Sequence, residues 1–144
     1  MAGKPVHYFS PDEVNALIPR MEEHFQNFWT WRENAQKIMD DLRLKEKRGE
    51  TDEASAKDAA YSQMRKSQAH FLLEQAKKEL DAILEMGCAI KDLEIGLVDF
   101  PHLLESDEQE VYLCWKYGEK KVRFWHEIDQ GYNSRKPLVR RVHH

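Results

Sequence analysis

The chain has 144 residues, a formal net charge of -4, 33% charged residues, 41% hydrophobic and 10% aromatic. That is enough chain for one domain with a real core, and low hydropathy with an ordinary aromatic content suits much exposed helix better than a disordered chain. The slight acidity gives no global drive toward nucleic acid or an anionic membrane, no apolar run is long enough to span a bilayer, and two cysteines, Cys88 and Cys114, make no disulfide framework.

Ser10-Pro11-Asp12-Glu13 has the pattern of a capping box, with proline at the first helical position. The apolar spacing Val14, Ile18, Met21, Phe25, Phe28, Ala35, Met39 and Leu42 predicts one long helix ending near Arg48-Gly49. Arg32 interrupts this stripe and calls for a local polar contact, and Pro19 should kink the helix. A second helix is expected from about Thr51, with Asp52 and Glu53 in its first turn. Its stripe is Ala69, Leu72, Leu73, Ala76, Leu80, Ile83 and Leu84, and Gly87 suits its C-cap.

Each helix would run about 35 residues, roughly 50 Å at 1.5 Å per residue. The short connection between them forces an antiparallel hairpin, coiled-coil-like and alanine-padded from about Gln36 to Arg65. This places His24 near Glu74 or Gln75, and His70 four residues before Glu74, as surface pairs. Phe28, Trp29 and Trp31 offer more aromatic surface than one partner helix covers, so a homo-oligomer, a dimer first, is expected.

From Gly96 the period changes to two, with strands at about Leu97–Phe100, Glu110–Tyr117 and Lys121–Glu127. A tight turn at Gly118-Glu119 would pair Trp115 with Val122, Leu113 with Phe124 and Val111 with His126. Val111, Leu113, Trp115, Val122, Phe124 and His126 then form the face toward the helices. Tyr112, Cys114, Lys116, Lys121, Arg123, Trp125 and Glu127 form the other, part of it covered by the tail after Ile128.

At these residues the chain resembles a bacterial family known as domain-of-unknown-function family 2203. The resemblance runs through Tyr8-Phe9-Ser10 with Glu13, Asn15, Leu17 and Pro19. It returns at Lys91-Asp92-Leu93, Gly96-Leu97-Val98-Asp99-Phe100-Pro101, Tyr112-Leu113-Cys114-Trp115, Gly118-Glu119, Trp125-His126-Glu127, Gly131-Tyr132 and Arg135-Lys136-Pro137-Leu138. It skips the arm between about Gln36 and Ser67. The family has no established activity, so the resemblance supports the domain and implies no chemistry.

Several mechanisms are excluded by their missing motifs. The six glycines are scattered singly, so no phosphate-cradling loop exists. The residue four after His126 is Gln130, not a second histidine, and neither helix carries a Glu-x-x-His pair. There is no paired Cys-x-x-Cys and no nucleophile elbow. What remains is Asp99 and His126. With the first strand antiparallel beside the second, Asp99 falls near Val111 and one strand from His126, both facing the helices. A carboxylate on such a face demands a partner. The plain reading is a structural hydrogen bond. The sharper one is a ligand or metal site at Asp99 and His126.

Cys114 lies on the opposite face in this register and so cannot converge with His126. It faces Arg123, which would lower the thiol pKa, although a buried hydrophobe is the plainer role for this cysteine. Glu127 shares that outer face and would pair with Arg135 or Lys136. The basic clusters Arg43, Lys45, Lys47, Arg48 and Arg135, Lys136, Arg140, Arg141 read as solvated surface, not a nucleic-acid interface.

The expectation is therefore an α+β fold in a single domain, residues 1–144. A long antiparallel helical hairpin over about 10–87 packs at its base on a small antiparallel sheet over about 88–144. Function is expected to be that of a non-enzymatic binding or interaction module, with a small-ligand or ion site between sheet and helices. The candidate residues are Asp99, His126, Cys114, Arg123, Glu127 and Arg135. A divalent metal at Asp99 and His126 is the one cofactor considered, and a metal-dependent enzyme there is the alternative. Without a signal sequence, the expected location is cytoplasmic.

Overall fold

The computed structural model describes residues 6–47, 56–104 and 108–139. Within them lie α1 (Pro11–Lys47), α2 (Ala56–Leu84), β1 (Ala89–Asp92), β2 (Leu97–Leu103), β3 (Glu110–Lys116), β4 (Phe124–Glu127), a 3-10 turn (Tyr132–Ser134) and β5 (Lys136–Pro137). The expected helix boundaries at Arg48-Gly49 and Thr51, with Asp52 and Glu53, fall outside the described residues. The fold is α+β, two long helices packed on each other and a five-stranded antiparallel sheet. No described helix is long and apolar enough to cross a membrane.

The chain divides into two compact units. One runs up to Glu23 and resumes from Ile83, and the other is His24–Ala82. In the second unit, α1 and α2 run antiparallel. Glu79 Oε1 lies 3.1 Å from His24 Nδ1 and accepts from Asn27 Nδ2 at 3.1 Å, while the Lys45 ammonium sits 4.7 Å from the Tyr61 ring. Glu79, not Glu74 or Gln75, is thus the partner of His24, and His70 does pair with Glu74 on the surface, at 3.0 Å. Ile38, Leu42 and Ala69 form a small core with Leu72 packed against it. Ile38 takes the inward position expected of Met39, which is exposed; both residues keep helical spacing from Ala35, and only packing against α2 chooses between them. Leu73 and Leu84 are likewise exposed. The Arg32 guanidinium lies 4.9 Å over the Phe28 ring, so this break in the stripe is resolved by a cation–π contact. Phe28 is buried, and Trp29 is half-buried, stacked on Phe25 at 5.6 Å.

The first unit begins with the expected cap. The Glu13 amide donates to Ser10 Oγ and the Ser10 amide to Glu13 Oε1, both at 3.1 Å. These reciprocal bonds satisfy donors that the helix start leaves free. Val14, Ile18 and Met21 follow at helical spacing and are buried, as is Ile83. Each such side chain contributes about 1.5–3 kcal/mol on leaving water. Gly87 ends α2's trailing turn at φ 104°, and a Cβ there would stand 2.9 Å from Phe9 Cζ, so only glycine fits.

The strands pair in sequence order, β1-β2-β3-β4-β5. β2 continues past Phe100 through Pro101 to Leu103. Proline is tolerated there because β1 pairs with β2 only as far as Asp99, and the Pro101 carbonyl is used instead by the Phe9 amide at 2.7 Å. This longer strand sets Asp99 opposite Cys114 and His102 opposite Val111, so the expected placement of Asp99 beside Val111 is wrong. The β3–β4 register also differs from expectation: Leu113 pairs with Trp125, Tyr112 with His126, Val111 with Glu127 and Cys114 with Phe124. The connection from Tyr117 through Arg123 holds an odd number of residues, whereas a tight two- or four-residue turn gives an even one. A one-residue slip exchanges the faces of every side chain it touches. Glu119 shapes this longer connection. Its carboxylate accepts from the Lys116 amide and its carbonyl from the Trp115 indole, both at 2.8 Å, and Gly118 takes φ 99°.

Two faces result. Val98, Phe100, Val111, Leu113 and Trp115 share one, and all are buried. The Phe9 ring meets Phe100 edge-on at 4.9 Å, and Asn15 of α1 accepts the Val122 amide at 2.8 Å. Asp99, Cys114, Tyr112 and His126 stand on the opposite face.

Candidate functional site

The pleat sends alternate residues of β2, β3 and β4 to one side, and three polar groups converge there. Asp99, Cys114 and His126 are at most 2% exposed, and their carboxylate, thiol and imidazole ligand atoms lie within 4.8 Å of one another. Among the described residues no other trio of His, Cys, Asp and Glu donors converges in this way. The expectation that Cys114 and His126 lie on opposite faces is therefore overturned by the register. So is the expectation that Asp99 and His126 share a face with Leu113 and Trp115.

His126 is fixed from both ends of its ring. Nδ1 lies 2.8 Å from the Glu127 carbonyl, which can only accept, so Nδ1 carries a proton and donates it. Nε2 lies 3.0 Å from Asp99 Oδ2, and one shared proton must occupy that contact. The other carboxylate oxygen, Asp99 Oδ1, is buried without a well-formed hydrogen bond among the described residues, the Cys114 thiol being only a weak donor to the same carboxylate. An unsatisfied buried carboxylate oxygen is costly, roughly 1–3 kcal/mol or more. Tyr112 covers one side of the imidazole, ring centres 5.7 Å apart. Burial, and then the charge of Asp99, push the Cys114 thiol up to about 12. Arg135 pulls the other way but does not prevail. Cys114 is thus a neutral buried thiol, in line with the plainer expectation of a small buried hydrophobe, and not a thiolate activated by Arg123.

The remaining candidates separate. Arg123 is exposed and precedes β4, and Phe124 rather than Arg123 stands opposite Cys114. Glu127 points to the face opposite Cys114 and meets the Lys136 ammonium at 3.5 Å. Arg135 does reach the site. Its guanidinium stacks on Phe124 at 4.1 Å and on Tyr132 at 4.2 Å, and its Nη1 donates to both carboxylate oxygens of Glu119, at 3.2 and 3.1 Å. Because Phe124 is directly across the ladder from Cys114, this places a cation beside the thiol. In the basic clusters, Arg43 lies 3.8 Å from Asp40, Lys45 over Tyr61 at 4.7 Å and Lys136 over Trp125 at 4.9 Å. Arg48, Arg140 and Arg141 lie outside the described residues.

Sequence reasoning named Cys114 as a candidate but separated it from His126 by the assumed turn, and it missed Glu119, which anchors Arg135 and read only as a turn residue. The available signal for Glu119 was its place one residue after Gly118, where a carboxylate can accept back from the Lys116 amide.

The fold and this cluster define an α+β protein whose antiparallel sheet buries an Asp–Cys–His constellation on one face. Residues 7–138 match the model of the family described as uncharacterized conserved protein DUF2203, and the chain belongs to that family. Neither a curated protein nor a solved structure matches it.

Proposed function

We propose that this protein is a non-enzymatic binding module that holds a small ligand or ion at Asp99 and His126. The observation that carries this reading is the orphaned Oδ1 of Asp99, on a carboxylate only 1% exposed. A purely structural Asp–His pair would be expected to satisfy both oxygens. The alternative, a metal-dependent enzyme at the same residues, draws support from the convergence of three ligand types. Against it stands their burial: a substrate needs an open cleft, whereas an ion needs only its donors.

Native mass spectrometry with elemental analysis, on protein purified without a histidine tag, tests the reading. A bound mass or metal should be retained by the wild type and missing from Asp99→Ala and His126→Ala. A wild type with no mass beyond its chain would refute it.

We also propose that the protein self-associates through the helical hairpin. With Phe28 buried, the support comes from α2 instead, where Met64 and Phe71 are exposed beside a groove of about 450 Å³ shared with Ser67, Gln68 and Leu72. Sedimentation equilibrium should give a dimer that Phe71→Glu dissociates. A wild-type monomer at high micromolar concentration would contradict this.

A further inference from the structure

We infer that Asp99, Cys114 and His126 together bind a borderline-soft divalent transition metal of the zinc class, through a carboxylate oxygen, the thiolate sulfur and imidazole Nε2. This rests on the reading of Asp99 and His126 as a ligand site and adds to it a third donor and the chemistry of the ion.

Four observations carry the assignment. First, the donors are close to the required spacing. Bonds of about 2.0–2.3 Å to a tetrahedral ion set its donors roughly 3.5 Å apart. Ligand atoms already within 4.8 Å of one another reach that spacing through small side-chain rotations. Second, the imidazole is presented correctly. The Nδ1–H donated to the Glu127 carbonyl leaves Nε2, the nitrogen facing Asp99, as the one that can bind a metal once the proton it shares with Asp99 departs. Third, Asp99 Oδ1 is buried with no well-formed hydrogen bond among the described residues, and a cation supplies a full partner where the neutral Cys114 thiol is a weak one. Fourth, a carboxylate, a thiolate and a neutral imidazole sum to a charge of -2, which a divalent ion cancels inside a buried site.

The donor types select the ion. Calcium and magnesium take oxygen ligands, and a set with one sulfur and one nitrogen suits zinc and its neighbours. On binding, the Cys114 thiol proton and the proton shared by Asp99 and His126 pass to solvent, and three metal–ligand bonds replace them. Arg135, held by Glu119 and stacked on Phe124, is placed to donate to the thiolate from outside the donor set.

Cobalt(II), added to the metal-stripped full-length chain, is the probe. Wild type should develop a near-ultraviolet sulfur-to-cobalt charge-transfer band together with intense visible bands of a tetrahedral ion, and zinc should abolish both. Cys114→Ser should lose the charge-transfer band and bind cobalt more weakly by over about tenfold, since even outer partners of a metal ligand are worth that much. The sulfur band is read on the wild type alone, so a variant that fails to fold does not spare the inference. It also distinguishes the site from the chain-terminal His143 and His144, which carry no sulfur. Cobalt uptake without a sulfur band, unchanged in Cys114→Ser but lost in Asp99→Asn, would overturn the thiolate site and leave the Asp99–His126 site standing. Uptake indifferent to both substitutions, or none, would also overturn it. If the native spectrum then shows no bound mass, the site reading falls as well.

Discussion

His126 and Asp99 are each other's counterpart in a place closed to bulk solvent. Replacing either with alanine strands the other, at a cost of about 1–3 kcal/mol in unfolding free energy. The double replacement should cost clearly less than the sum of the singles, because the second substitution removes a group already left unsatisfied. Denaturant titrations of the four proteins measure this, and additive effects would show that the 3.0 Å contact carries no coupling. Cys88 gives a pH prediction of defined sign. Its thiol donates to the Ile83 carbonyl at 3.3 Å, and burial pushes its pKa from 9.0 to about 12. A pKa raised in the folded state stabilises fully below the unfolded value and is lost as pH rises through the folded one. Wild type should therefore lose stability between about pH 9 and 12, and Cys88→Ala should lose less over the same window. Equal alkaline slopes for the two would contradict the buried thiol as a source.

At the level of elements, α1 depends on a start that two residues build together. Ser10→Ala removes the acceptor for the Glu13 amide and should cost about 1 kcal/mol in thermal or chemical unfolding, whereas Ser10→Asp should restore most of it. A Ser10→Ala variant as stable as wild type would mean that the box is idle. This cap was legible in the sequence, as were the inward stripe from Val14 to Leu42, except at Met39, and the strand that starts at Leu97. Each is a local pattern fixed by the geometry of its own element. The register of β3 on β4 was not legible, because it depends on whether the connection after Lys116 holds an odd or even number of residues. That number is set by the bonds of Glu119 to Lys116 and Trp115. The Asp99–His126 contact was anticipated from a wrong register, and that same register hid the convergence of Cys114. β1 and β5 were missed because Ala89–Asp92 and Lys136–Pro137 are too short for alternation to register, and both are strands only through their neighbours.

For the whole molecule, α1 and α2 both run without interruption across the boundaries between the two compact units, at Glu23–His24 and Ala82–Ile83. Two units joined by continuous helices should share one fate on heating. We propose on this ground that the chain is a single domain, and scanning calorimetry should show one transition with equal calorimetric and van't Hoff enthalpies. Two resolved transitions would instead make the hairpin, His24–Ala82, an independent folding unit. The central claim, that the buried face of the sheet is an ion site, is tested most directly by anomalous diffraction from crystals grown with zinc. We expect one strong anomalous peak bounded by an Asp99 oxygen, Cys114 Sγ and His126 Nε2, with the direct imidazole–carboxylate hydrogen bond gone. An intact 3.0 Å contact between His126 and Asp99 with no peak at saturating zinc would contradict it.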